Sequence, residues 1–183
     1  MHFCTYVFIP PKGEIETLVA DALHLYSEDL EVPPYEEYLD GGEIDIMSKH
    51  YGVRHKNLKA LVSHMKDWSG TPGGVDERGL FRIKTMNPEG RWDWYEIGGR
   101  WSGCFRGNVI SAKALLEKKN LKDILPAFMV TPDGSWHEWE TFVTEGWMKW
   151  HVEKKKDGEW MKIIRDALAA YPNFRVACVD IHK

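Results

Sequence analysis

His2-Phe3-Cys4-Thr5-Tyr6-Val7-Phe8-Ile9, closed by Pro10-Pro11, stands at one end of the sequence, and Phe174-Arg175-Val176-Ala177-Cys178-Val179-Asp180-Ile181-His182 stands at the other. Both runs are rich in β-branched and aromatic residues and have the length of strands. The first is apolar on both faces, so it reads as a strand covered from two sides. In the second, Phe174, Val176, Cys178, Asp180 and His182 alternate onto one face, an apolar row that ends in two ionisable groups. Two such strands belong in the middle of a sheet, side by side as in ferredoxin-like folds.

Moving inward, Ile15, Leu18, Val19, Ala22, Leu23 and Tyr26 keep helical spacing and predict a helix over 14–26, with Glu14 and Glu16 in its first turn. Trp160, Ile163, Ile164, Ala167, Leu168 and Tyr171 predict a last helix that Pro172 ends. Leu80 to Met86 alternates like a strand. Ala127–Thr131 and Ser135–Trp139 flank Pro132-Asp133-Gly134 as a hairpin, and Ser111 can cap a short helix carrying Ala114, Leu115 and Leu116. The sum is an α+β fold, a mixed or antiparallel sheet with helices mainly on one face, in a single domain over 1–183.

Two interruptions fall inside that domain. Residues 27–56 form an acidic loop insertion: no Lys or Arg occurs from Gly13 to Ser48, and Val32-Pro33-Pro34 and Gly41-Gly42 break the stretch. Residues 70–79 form a Gly-rich connection without the Gly-Lys-Ser/Thr ending of a phosphate-binding loop. Between them Lys49, Arg54, Lys56, Lys59 and Lys66 accumulate, and Leu58, Leu61, Val62 and Met65 predict a helix over 56–68. The acidic loop is expected to lie against this basic helix and neutralise it.

The 183 residues carry a formal charge of −4, which excludes the globally basic profile of a protein that grips long nucleic acid. A composition 43% apolar and 28% charged excludes general disorder. No apolar run is long enough to span a membrane, and none of the marks of a signal peptide precedes the first strand, so a cytoplasmic location is expected. Cys4, Cys104 and Cys178 are widely spaced and form no CxxC, which argues against a disulfide framework and a zinc knuckle. No metal site and no cofactor is expected. A homo-oligomer is compatible with these features.

Chemistry concentrates in Arg91-Trp92-Asp93-Trp94-Tyr95-Glu96-Ile97-Gly98-Gly99-Arg100-Trp101-Ser102-Gly103. If extended, the run sets Trp92 and Trp94 on one face, and Gly98-Gly99 lets the backbone bend or approach a bound group. Indoles offer stacking platforms, and the Arg100 guanidinium (with Arg91) offers a fork for an anion. The competing reading packs the indoles into a sheet corner, with Arg100 paired to Asp93 or Glu96. His137, in the hairpin, and the Asp180/His182 pair are the remaining candidates, since a carboxylate that fixes an imidazole's tautomer can make a general base. They could equally be polar groups where a strand reaches solvent.

Trp92-Asp93-Trp94-Tyr95-x-Ile97-Gly98-Gly99-Arg100-Trp101-x-Gly103, Thr131-Pro132-Asp133-Gly134-x-Trp136-His137 and Val179-Asp180-Ile181-His182 together resemble one family of small proteins from phage and bacterial genomes. The resemblance covers residues 92–182. It implies a shared fold and pocket and, for a phage-borne member, action in the host cytoplasm; it brings no activity with it. The leading expectation is a protein that binds a small anionic, ring-bearing ligand of the nucleotide class through Trp92, Trp94, Tyr95, Arg100, Trp101 and His137. In a phage that role would be sequestration of a defence signal. Two alternatives stand beside it: a hydrolase or phosphoesterase using His137, Asp180 and His182, and an inhibitor of a host protein acting through the acidic 28–45 loop.

Overall fold

The computed structural model describes residues 1–146 and 149–183, with side chains described outside Arg106 and residues 142–150. Strand β1 (His2–Ile9) stops at Pro10, as a residue without an N–H requires. Helix α1 (Ile15–Leu23) starts where the Glu14 carboxylate accepts from the backbone N–H groups of Glu16 and Thr17, and it winds on as a tighter turn to Tyr26. There follow β2 (Tyr35–Tyr38), α2 (Gly41–Tyr51), α3 (Leu58–Val62), α4 (Met65–Ser69), β3 (Gly73–Val75) and β4 (Leu80–Lys84). The chain continues through β5 (Trp94–Ile97), β6 (Val109–Ser111), α5 (Ala112–Leu116), β7 (Phe128–Val130) and β8 (Trp136–Glu138). It closes with β9 (Glu140–Gly146) and β10 (Lys149–Lys154), which pair with each other as a two-stranded sheet, then α6 (Asp157–Ala170) and β11 (Arg175–His182).

Two compact units result. One comprises Met1–Leu30, Asn87–Thr141 and Glu153–Lys183; the other comprises Glu31–Met86 and Phe142–Val152. In the first, the sheet order is β5-β11-β1-β7-β8, with β6 also on β11. The terminal strands do lie side by side, antiparallel, in a register running from His2↔His182 to Ile9↔Arg175. The expected hairpin is β7 and β8, paired from Phe128↔Glu138 to Val130↔Trp136. β1 and β7 are parallel and directly paired, so the sheet is mixed. The split βαβ of a ferredoxin-like fold, where another strand separates the parallel two, is not what they make.

Helices cover both faces of this sheet, not mainly one. Tyr6, Phe8, Val176, Cys178 and Met129 pack under Leu115 of α5 and Trp160, Ile164 and Leu168 of α6. Val7, Ile9, Val179, Ile181, Phe128 and Val130 pack against Val19 and Leu23 of α1. The reason lies in the central strands: with no polar face on most of β1 and β11, each side needs an apolar cover, and each large side chain so buried contributes roughly 1.5–3 kcal/mol. Trp160 is fully buried, and its indole N–H donates to the Pro126 carbonyl at 2.8 Å.

The second unit leaves the first after Leu30 and returns at Asn87. The two ends of the first unit's chain are tied there: Tyr26 O accepts from Arg91 N at 2.7 Å, Glu28 N donates to Trp92 O at 2.9 Å, and the Asn87 amide donates to Leu25 O and Ser27 O.

Within the second unit, α2, α3 and α4 and the sheet β2-β4-β3 enclose Leu39, Ile44, Met47, Leu61, Met65 and Leu80. The 27–56 segment is therefore not loop throughout. Asp40 caps α2 by accepting from Glu43 N at 2.7 Å, and Gly41-Gly42 fall in a first turn whose N–H groups have no helical partner anyway. The expected helix over 56–68 is two short ones, and the 70–79 connection contains β3. Among the described residues, no ion pair joins these carboxylates to Lys56, Lys59 or Lys66. Glu36 pairs with Arg78, Glu37 with Arg82 and Lys84, and Glu43 with Arg82, so their partners come from β4 and the turn before it; Asp45 pairs with His55.

Candidate functional site

Register builds the site. With Tyr6 opposite Cys178, Cys4 opposite Asp180 and His2 opposite His182, the even-numbered side chains of β1 and β11 share one face. β5 adds Trp94 opposite His182 and Glu96 opposite Asp180. The apolar part of this face lies under α5 and α6; its last rungs are His2, Asp180, His182 and Trp94.

Asp180 is 1% exposed and uses both oxygens: Oδ1 lies 3.0 Å from His2 Nδ1, and Oδ2 accepts from the Arg100 backbone N–H at 3.1 Å. The second bond depends on Gly99, which sits at φ +49° with its Cα hard against the aspartate; a Cβ there would meet Asp180 Cβ at 2.4 Å. The glycine pair thus brings backbone close to a protein carboxylate. Its neighbour Gly98, at φ +82°, packs against Asn108 in the same way.

A second carboxylate–imidazole pair stands beside the first. His182 Nδ1 lies 2.8 Å from Asp93 Oδ1, and the Asp93 backbone N–H donates to the His182 carbonyl. The hydrogen bond from His182 draws the Asp93 carboxyl below the usual carboxylate range. If each imidazole donates its Nδ1 proton to its carboxylate, each Nε2 carries a lone pair. His182 Nε2 lies 3.2 Å from the Met1 nitrogen; for His2 Nε2 no partner is found among the described residues. The two rings are edge-on at a centroid distance of 5.1 Å, and Trp94 stands edge-on to His2 at 5.9 Å. His2, Asp93, Trp94 and His182 line an open hollow of about 420 Å³, over which Trp94 is 47% exposed.

The expected indole cluster does not assemble as one surface. Trp92 precedes β5, so strand alternation does not govern it, and it parts from Trp94: its N–H donates to the Leu23 carbonyl at 3.0 Å and its ring meets Tyr95 edge-on at 5.0 Å on the α1 side of the sheet. Trp101 is half-buried against the α6-side core. Arg100 is exposed, and among the described residues its guanidinium pairs with neither Asp93 nor Glu96. His137 lies elsewhere. Its Nε2 is 3.1 Å from Thr131 Oγ1, in a hollow that also contains Asp133, Ile163 and Tyr171, and burial lowers its pKa. Three strands and four rungs separate it from His182, about 20 Å by strand spacing. His137 is therefore a separate place on the same face from Asp180 and His182, and the expected Asp180–His182 pairing is replaced by Asp180 with His2 and Asp93 with His182. His2 was not a candidate from sequence; it, and not His137, shares a hollow with His182.

The three cysteines, all free, meet beneath Asp180. Cys4 Sγ and Cys178 Sγ are 3.6 Å apart, and the hydrogen bond to Cys178 together with burial pushes the Cys4 thiol up. Among the described residues no group of three or more His, Cys, Asp or Glu side chains could hold a metal ion, and no helix is long and apolar enough to cross a membrane. No known protein family, curated protein or solved structure matches the chain.

Proposed function

We propose that the protein binds a small anionic, ring-bearing ligand of the nucleotide class in the hollow lined by His2, Asp93, Trp94 and His182. The observation that carries this reading is Trp94, a large apolar ring left 47% exposed beside two imidazoles in an open hollow. An indole so placed offers a face for a base, worth roughly 1–3 kcal/mol when stacked. Arg100, exposed and without an ion-pair partner among the described residues, supplies the anion contact from the turn that holds Asp180. Trp92, Tyr95 and Trp101 support the strand and turn that present these groups, and His137 stands outside the site. For a phage-borne relative acting in the host cytoplasm, the corresponding role is sequestration of a nucleotide defence signal.

Titration with mononucleotides, cyclic dinucleotides and ADP-ribose, followed by tryptophan fluorescence, tests the reading. A saturable quench that Trp94→Ala removes is expected. No change with any member of the panel at high micromolar concentration overturns it. The hydrolase alternative is favoured by one observation, the Asp180–His2 pair, taken up below. For an inhibitor acting through the acidic 28–45 segment no observation speaks, since Glu36, Glu37 and Glu43 are already held by Arg78, Arg82 and Lys84.

A further inference from the structure

We infer that the hollow is an acid–base site that cleaves a ribonucleotide phosphodiester, with His2 as the base and His182 as the acid. The inference rests on the binding reading above and adds to it a reaction and a substrate class. One carboxylate–imidazole pair at a strand end is a common way to satisfy a histidine. Here there are two, each with its own aspartate, and their rings stand edge-on at a centroid distance of 5.1 Å along one hollow. Two oriented imidazoles within reach of a single centre provide what a displacement at phosphorus needs, one group to take a proton and one to give it.

The chemistry of the lining narrows the substrate. None of His2, Asp93, Trp94 and His182 is a hydroxyl or thiol nucleophile, and the Cys4 and Cys178 thiols are buried. The attacking oxygen is then water's or the substrate's own, and we take the ribose 2′-hydroxyl beside a 3′-phosphodiester, which arrives already tethered to the phosphorus it attacks. Trp94 would stack one base and Arg100 would face the phosphoryl charge. His2 Nε2 takes the 2′-hydroxyl proton as the O2′–P bond forms; the P–O5′ bond breaks, and O5′ takes a proton from His182, which enters the reaction as the imidazolium with its Nε2 proton turned from the Met1 nitrogen to the leaving oxygen. The products are a 2′,3′-cyclic phosphate and a free 5′-hydroxyl. His2 ends protonated and His182 neutral, and exchange with water restores both. Asp180 and Asp93 are positioning residues.

The test incubates the full chain with uridylyl-3′,5′-adenosine, a 3′,5′-cyclic diribonucleotide and their 2′-deoxy analogues in EDTA, with products read by mass spectrometry and binding of the deoxy analogues read by fluorescence. Cyclic-phosphate products from the ribo substrates only, with a bell-shaped pH profile, are expected. His2→Asn and His182→Asn should each lower the rate at saturating substrate about 10²–10⁴-fold, in proteins whose urea unfolding matches the parent's. Asp180→Asn should lower it less and move one limb of the profile. Equal cleavage of deoxy substrates, abolition by EDTA, or an unchanged rate in His2→Asn overturns the inference. A quench by the deoxy analogues with no ribo substrate cut overturns the inference and leaves the binding reading standing; neither quench nor cleavage removes both.

Discussion

The two ends of the β1–β11 pair are built on the same face of the same two strands, yet they do different things. At one end Phe8 and Val176 lie buried in the apolar cluster under α5 and α6. At the other, six residues along each strand, His2 and His182 replace the apolar pair, Asp180 is buried but fully hydrogen-bonded, and Trp94 stands in solvent. The difference shows how a continuous strand can be core and site at once. The apolar rungs supply rigidity, and the polar rungs inherit it, because their Cα positions are fixed by the same ladder.

The contrast makes graded predictions, and the largest effect belongs to the helix-covered part of the face. Trp160→Ala removes the biggest buried side chain over that part and should cost about 4 kcal/mol in urea unfolding. Gly99→Ala comes next, at about 2–3 kcal/mol, since it adds strain at φ +49° and drives a methyl into Asp180. Asp180→Ala should cost about 2 kcal/mol, because the Arg100 N–H and His2 lose their acceptor. Trp94→Ala should change stability by about 0.5 kcal/mol or less while abolishing the nucleotide quench. If Trp94→Ala unfolds the protein as Trp160→Ala does, the two ends are not distinct.

A pH experiment sharpens the same comparison on the helix-covered part of the face. Burial lowers the folded pKa of His137, so below the ordinary value of about 6.5 the unfolded chain binds the proton more readily. Stability is therefore unaffected above that value, declines as pH falls toward the lower folded value, and then levels off. His137→Gln should flatten that part of the stability–pH curve. Asp93 acts in the acid range: its depressed folded pKa contributes stability above about pH 4 that is lost as pH falls through the folded value. Exposure keeps that second contribution small.

Much of the first unit could be read from the residues. The terminal strands, their adjacency, the first and last helices and the hairpin all follow from periods of 2 and 3.6 and from Pro10, Pro132 and Pro172. The second helix-covered face was also implied by an apolar run with no polar side, although the expectation put helices mainly on one. α2 was hidden because Gly41-Gly42 reads as a break, whereas Asp40 just before them is a cap. At the site, Asp180, His182 and Trp94 were visible from alternation and local density. His2 was not, since its importance comes from a partner 180 positions away in the chain; yet once the terminal strands are paired antiparallel, its place opposite His182 is forced. Trp92 misled because strand alternation was extended to a residue that precedes the strand.

The stitch between Tyr26–Glu28 and Arg91–Trp92 gives the chain an unusual freedom. Because departure and return are clasped together by main-chain bonds of the first unit itself, the central sheet has no stake in how many residues lie between Leu30 and Asn87. Closing a longer or shorter excursion differs by only about 0.6 kcal/mol for each doubling of its length. Such a junction holds the two chain ends of the Leu30–Asn87 excursion at a fixed spacing whatever its length, so this loop can grow or shrink without loosening the clasp itself.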